Sequence, residues 1–527
     1  MFVNDKENNL LKNLSMAKQD DFTAVIKAGY QFKGENVKIG AAILDGTVLP
    51  DAGIYLPLKT MNRHGLIAGA TGTGKTKTLQ MISEYLSDAS VPVLLMDIKG
   101  DLSGIAAIGT KNDTIAARYQ QLNMEYKPSQ FSAELLTLNN QKGVHLKATV
   151  SEFGPILLSK ILELNDTQGG VVALIFKYCD DTALPLLDLK DFIKVLQFIS
   201  NEGKEEIEKT YGKISTTTTG TILRKVIELQ QQGADIFFGE KSFEVNDLMR
   251  IDDSGRGMIN ILRVSDLQDK PKLFSTFMLQ MLSELYATCP EEGDLDKPKL
   301  VIFIDEAHLI FQEASEALLQ QIETIVKLIR SKGIGIFFCT QNPMDVPPAV
   351  LGQLGLKIQH ALRAFTAADR KVIKLTADNY PETIYYKTED LITQMGIGEA
   401  LITLLNEKGI PTPLAHVMLC SPRTRMDILT SDEISAIVDK SAIAAKYNQV
   451  IDSNSAYEIL TAKLQEAAAV TQKNNQVAGS GEESTFEKIA NNSIVKSMVR
   501  TAGNTIVRSL LGSLGLGGRS TKKTSWF

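Results

Sequence analysis

Residues 69–76 read Gly-Ala-Thr-Gly-Thr-Gly-Lys-Thr, a complete G-x-x-x-x-G-K-[ST]. Glycine leaves no Cβ in the way, so backbone N–H groups can converge on phosphate oxygens. Gly69, Ala70, Thr71, Gly72, Thr73 and Gly74 form the candidate cradle, and Lys75, Thr76 and Lys77 open a helix behind it. Lys75 can place its charge on the β- and γ-phosphates, and Thr76 can present a hydroxyl to Mg²⁺. The helix start aims its positive dipole end at the same anion. ATP with Mg²⁺ is the expected ligand.

A second cluster follows an apolar run. Leu300–Ile304 ends in Asp305 and Glu306. A carboxylate at a strand tip can hold the Mg²⁺ shell, which suits Asp305 as a metal residue. Its neighbour can orient an attacking water, which suits Glu306 as a catalytic residue. Such a pair separates hydrolysis from mere nucleotide binding. Gln341, after the next apolar run, can sense the γ-phosphate; a turn-capping amide is the alternative. His308 either couples the site to the following helix or is an ordinary helix-start residue.

Three other nucleotide-dependent classes fail, one on spacing and two on a missing motif. Asp97-Ile98-Lys99-Gly100 and Thr110-Lys111-Asn112-Asp113 resemble GTPase motifs. The residues between them are too few for the parallel crossover that the second motif needs. Asp97 is better read as a polar strand-tip residue near the nucleotide. Asp305-Glu306-Ala307-His308 spells a helicase box, but its arginine-rich partner motif Q-x-x-G-R-x-G-R is absent, as is LSGGQ.

The elements that must position these residues follow from hydrophobic period. Short apolar runs at 65–68, 91–97, 257–264, 299–305, 333–340, 357–363 and 398–405 predict strands of one sheet, with helical patterns between several of them. Strands alternating with helices predict an α/β fold with a mostly parallel sheet. Residues 151–250 interrupt the alternation with three amphipathic patterns and predict a helical insertion. Before residue 61 a short β-containing region (1–60) is expected, with β-like runs at 22–28, 37–44 and 53–58. The ATPase domain is expected over 61–430. Beyond it lie a helical segment at 431–470, where Ser455 and Glu458 match a capping box, a linker at 471–485 and a basic tail at 486–527.

The chain has 527 residues, 44% of them hydrophobic, and a net charge of −6. A uniformly basic nucleic-acid coat is excluded; a local basic groove is not. Four scattered cysteines, no apolar run at the N-terminus and no long apolar span suggest a reducing, cytoplasmic setting. The tail carries seven bases against one acid, interleaved with apolar residues. It is compatible with packing on a partner or on its own assembly, with nucleic-acid phosphates, or with peripheral contact on a membrane.

Asn62–Thr76, Met96–Ala106, the Ile304–His308 run and Thr340–Pro343 together resemble the HerA/FtsK superfamily of P-loop ATPases, and most closely its bacterial HerA-like branch. The helical insertion and the tail ending in Trp526-Phe527 also resemble that branch. The resemblance implies a RecA-like motor, a homo-hexameric ring, DNA translocation or helicase action, and a nuclease or other protein partner. It further implies that a neighbouring subunit donates an arginine to the γ-phosphate. Arg330 matches the pattern best, with Arg363 and then Arg370 as alternatives. A reading of another class also stands: an ATPase switch for protein assembly, anchored by the basic tail to a partner or a membrane.

Overall fold

The computed structural model describes residues 2–477, apart from 139–140, 269, 294, 313, 315, 450 and 452. These residues form two compact units. One comprises the chain to Lys147 together with Lys241–Gln449; the other comprises Ala148–Glu240 with the described residues beyond 450.

The first unit is built on a 12-stranded sheet. In chain order its strands are β1 (Asn36–Leu44), β2 (Thr47–Pro57), β3 (Gly65–Ala68), β4 (Val93–Asp97), β5 (Ala133–Thr137), β6 (Val144–His145), β7 (Ile259–Arg263), β8 (Leu300–Ile304), β9 (Ile334–Thr340), β10 (Leu356–Gln359), β11 (Glu399–Leu404) and β12 (Ala415–Leu419). Their order across the sheet is β2-β1-β12-β11-β10-β3-β9-β8-β4-β7-β5-β6. From β10 to β6 every pairing is parallel. From β10 to β2 every pairing is antiparallel. Every residue of β4, β8 and β9 is buried, so these strands carry unbroken apolar runs. Burying each such aliphatic side chain contributes about 1.5–3 kcal/mol.

Several expectations change here. The run at 22–28 is not β-like but lies in helix α1 (Phe2–Gly29). Phe22, Ile26 and Tyr30 recur every fourth residue and all three are buried, which is a helical period. The run at 357–363 leaves the sheet after Gln359, because the following residues turn toward residues 69–70. The run at 398–405 joins the sheet antiparallel, next to β10. Residues 241–250 belong with the sheet rather than with the insertion. Asn260 of β7 explains part of this, since its amide donates to Leu248 O at 2.9 Å.

The second unit is helical over Val150–Ile161, Asp166–Asp181, Leu189–Ser200, Lys204–Tyr211 and Thr216–Gln231, and again over Ala456–Val477. The last helix starts at the Ser455–Glu458 box, where Ser455 N donates to Glu458 Oε2 at 3.0 Å. It continues to Val477, into the stretch expected to be linker. The basic tail at 486–527 lies outside the described residues.

One contact set ties the sheet to the helix behind the phosphate loop, α2 (Lys75–Asp88). The chain beyond β12 crosses α2 and bonds to residues on one of its faces. Lys77 Nζ donates to Met426 O at 2.5 Å, and Gln80 Nε2 donates to Thr424 Oγ1 at 2.6 Å. Glu84, 1% exposed, accepts from Arg423 N, Thr424 N and Thr424 Oγ1. Arg423 also pairs with Glu84 and Asp88 and lies over the rings of Tyr85 and Phe131. Arg423→Ala therefore removes the only guanidinium paired with Glu84 among the described residues. Chemical denaturation should show a loss of about 3 kcal/mol. A loss below about 1 kcal/mol, the scale of an exposed pair, would assign the hold to the backbone bonds instead.

Candidate active site

The phosphate loop runs from the C-terminal end of β3 into α2. Gly69, Gly72 and Gly74 have φ of 152°, 79° and 113°, which L side chains rarely adopt. A Cβ on Gly69 would also stand 2.5 Å from His360 Cβ. Gly69 N donates to Thr340 O at 3.2 Å and Ala70 N to Ala361 O at 2.8 Å, so the loop is pinned between the ends of β9 and β10. Thr73 closes it internally, with its hydroxyl on Ala70 O at 2.7 Å. Lys75 Nζ reaches the same carbonyl at 3.2 Å. Gly74 caps α2 without a side-chain hydrogen bond, so the first N–H groups of this helix remain available to an anion. The Lys77 side chain is committed to Met426 O, which leaves its backbone N–H as the group it can offer a phosphate.

The two carboxylates stand at the end of β8, beside that loop. Asp305 is 1% exposed, and its Oδ2 has no hydrogen-bond partner among the described residues. Burial pushes its carboxyl up to about 7, Glu306 and Asp101 add to the shift, and Lys99 opposes it. A buried, unpartnered carboxylate oxygen suits a cation. With the Thr76 hydroxyl it fits the Mg²⁺ role expected of both residues. Glu306 has φ of +45°, a left-handed conformation that costs a non-glycine residue about 1 kcal/mol or more. Ala307 N holds this bend by donating to Cys339 O at 2.8 Å. The bend presents Glu306 to Gln341, whose Nε2 donates to Glu306 Oε2 at 3.4 Å, and to His308, whose Nδ1 lies 3.1 Å from the same oxygen. Lys99 contacts the other oxygen. Burial works to raise the Glu306 pKa, but His308 and Lys99 bring it down to about 2. The residue is ionised at any physiological pH. His308 is correspondingly raised by its bond to Glu306.

Thus Lys75, Thr76, Asp305, Glu306 and Gln341 gather at one edge of the sheet. Arg330 does not join them. It is exposed in the turn Ile329–Lys332 ahead of β9, whereas the loop and acids follow the far ends of the parallel strands. Seven residues of β9 separate the two edges, about 20 Å. Arg363 lies on the phosphate-loop side, exposed, with Nη1 donating to Thr393 O at 3.2 Å. Arg370 is exposed on the helix Ala367–Asp378.

Several supporting residues besides the strand-tip Asp97 escaped the sequence reading. Asp97 accepts from Gly100 N, Asp101 N and Leu102 N, so it clips the turn that carries Lys99. His360 Nδ1 bonds the carbonyl of Glu399 at 2.9 Å and so carries the proton; Nε2 then accepts from Thr78 Oγ1 of α2 at 3.0 Å. Burial lowers its pKa to about 4, which keeps it neutral in this bridge. Gly398 N donates to Thr73 O at 3.0 Å, and Arg118 fixes Gly398 from behind through its carbonyl at 3.1 Å. The sequence signal for these was weak: single polar residues in apolar or loop context, far apart in number.

A parallel sheet with a phosphate loop after β3, paired acids after β8 and a polar Gln341 after β9 defines a RecA-like P-loop ATPase fold. The family model described as helicase HerA-like, C-terminal, matches residues 44–521. The chain belongs to this HerA-like family, within the HerA/FtsK superfamily. It is 22% identical over 409 residues to the DNA double-strand break repair helicase HerA of Sulfolobus acidocaldarius, covering 75% of this chain and 71% of that one. It is 23% identical over 364 residues to the protein of the same name from Sulfurisphaera tokodaii, spanning 67% of this chain and 64% of that one. The DNA import protein CedB of Sulfolobus acidocaldarius is 22% identical over 422 residues, 78% of this chain and 61% of CedB. Among solved structures, the bacterial conjugative coupling protein TrwB aligns with a TM-score of 0.49 at 14% identity, over 76% of this chain and 93% of that one. Among the described residues no helix is long and apolar enough to cross a membrane.

Proposed function

We propose that the chain hydrolyses ATP with Mg²⁺ and couples hydrolysis to movement along DNA as a homo-hexameric ring. The observation that carries the ATPase reading is the convergence of the phosphate loop with Asp305, Glu306 and Gln341 at one sheet edge. In this reading Lys75 and the loop N–H groups bind the phosphates. Glu306 orients and polarises the attacking water, and Gln341 reports the state of the γ-phosphate through its bond to Glu306. Thr76 and Asp305 would hold Mg²⁺, which neutralises charge on the β- and γ-phosphate oxygens. Arg330 faces away from its own loop, so its place in the chemistry is at a neighbour's site.

The DNA step rests on family membership and on the names of the relatives, two of them repair helicases and one a DNA import protein. Duplex DNA should raise ATP turnover several-fold, and binding should weaken steeply with salt, because phosphate contacts release counterions. Turnover is measured with and without DNA at two salt concentrations, using the full chain. Turnover indifferent to DNA at low salt, in a ring seen by negative stain, would favour the assembly-switch reading over the motor.

A further inference from the structure

Lys99 has no part in the roles assigned above, yet it touches the residue on which they depend. Its ammonium contacts Glu306 Oε1, while His308 and Gln341 occupy the other oxygen. A carboxylate gripped in this way by a cation is a poor acceptor for a water proton. Glu306 can polarise water well only if the Lys99 hold relaxes. The geometry also indicates what could relax it. Lys99 contacts Glu306, the residue assigned to the water that attacks the γ-phosphate, so it stands on the γ-phosphate side of the site. Its backbone is fixed by the Asp97 clip, but its side chain is 32% exposed and has room to swing. A γ-phosphate carries more negative charge than one carboxylate and can compete for the same ammonium.

We propose that Lys99 is a γ-phosphate-sensing cation shared between two partners: it pairs with Glu306, transfers to the γ-phosphate of bound ATP, and thereby frees Glu306 to act. This rests on the ATPase reading. It supplies a cation from within the same subunit, separate from any arginine donated across an interface. It also links the arming of Glu306 to the presence of the third phosphate, so that ADP leaves Glu306 held.

The test is a binding cycle with a non-hydrolysable ATP analogue and ADP, each with Mg²⁺, by calorimetry on the full chain. Lys99→Met should weaken the ATP analogue about tenfold, the worth of one charge-assisted bond, and change ADP by less than about twofold. Lys99→Arg, which keeps the charge, should retain most of the preference. Glu306→Gln should tighten the ATP analogue about fivefold by releasing Lys99. That gain should vanish in the Lys99→Met background. A gain that persists there would show that Glu306 simply repels the γ-phosphate, and would overturn the transfer. Equal losses for both nucleotides in Lys99→Met would make Lys99 structural and overturn it too. Failure of the underlying reading looks different: wild type and Lys75→Ala would then bind both nucleotides equally, or not at all.

Discussion

Glu306→Gln should bind ATP at least as tightly as the wild type and lose about 10²–10⁴-fold in turnover, the worth of a positioned general base. Two features of the site make the loss specific. The glutamate is only 4% exposed and held in a left-handed bend, so its carboxylate has a fixed place in the site. The change removes the charge and keeps the shape. The amide can still meet Gln341 and His308, so the loop, Asp305 and α2 should stay where they are. Binding is followed by calorimetry and turnover by phosphate release, on protein whose thermal unfolding matches wild type. Turnover within about threefold of wild type, far inside the range expected of a base, would remove Glu306 from the role and leave His308 as the nearest alternative base. A joint loss of binding and turnover would point instead to a disrupted metal seat at Asp305.

What the sequence made legible follows physical range. The phosphate loop and the acid pair are local: the backbone chemistry that demands glycine, or a carboxylate at a strand tip, is confined to a few successive residues. The buried central strands were legible for a similar reason, since burial on both faces leaves an unbroken apolar run. The strands toward the two sides of the sheet were harder to read. β5 (AELLT) and β12 (AHVML) were overlooked because charged or polar residues interrupt their apolar runs. Phe22 and Ile26 belong to a helix although Thr23, Val25 and Ile26 favour strand locally, because the core face lies at every fourth residue. The supports of the site are long-range. Thr78 and His360 are 282 residues apart, and Arg118 and Gly398 are 280 apart. No spacing rule joins such pairs. Lys99 stood in plain view as the third residue of a rejected GTPase motif, and only its contact with Glu306 gives it meaning.

Arg330→Ala should bind ATP as wild type does, assemble, and hydrolyse about 10³–10⁵-fold more slowly, the range of an arginine donated in trans. The fold supplies the reason for expecting trans action. Arg330 precedes β9 while the phosphate loop follows β3, and the two strands are parallel and adjacent. The length of β9 therefore separates the guanidinium from its own nucleotide by about 20 Å, beyond the reach of any side chain. An exposed arginine at that edge can meet a γ-phosphate only if another subunit brings one. In a ring of head-to-tail contacts two different surfaces meet at each interface, so a neighbour can bring to the loop an edge that its own subunit holds away from it. Mixing Arg330→Ala with Lys75→Ala subunits tests this directly, since neither variant alone has a complete site. Some interfaces in the mixture join the intact loop of the first to the intact arginine of the second, and activity should return at those interfaces. Mixed rings that form but stay inactive, alongside Arg363→Ala mixtures that recover, would transfer the role to Arg363. That residue lies on its own loop's side and is tied to Thr393 O at 3.2 Å, so it would first have to give up that bond.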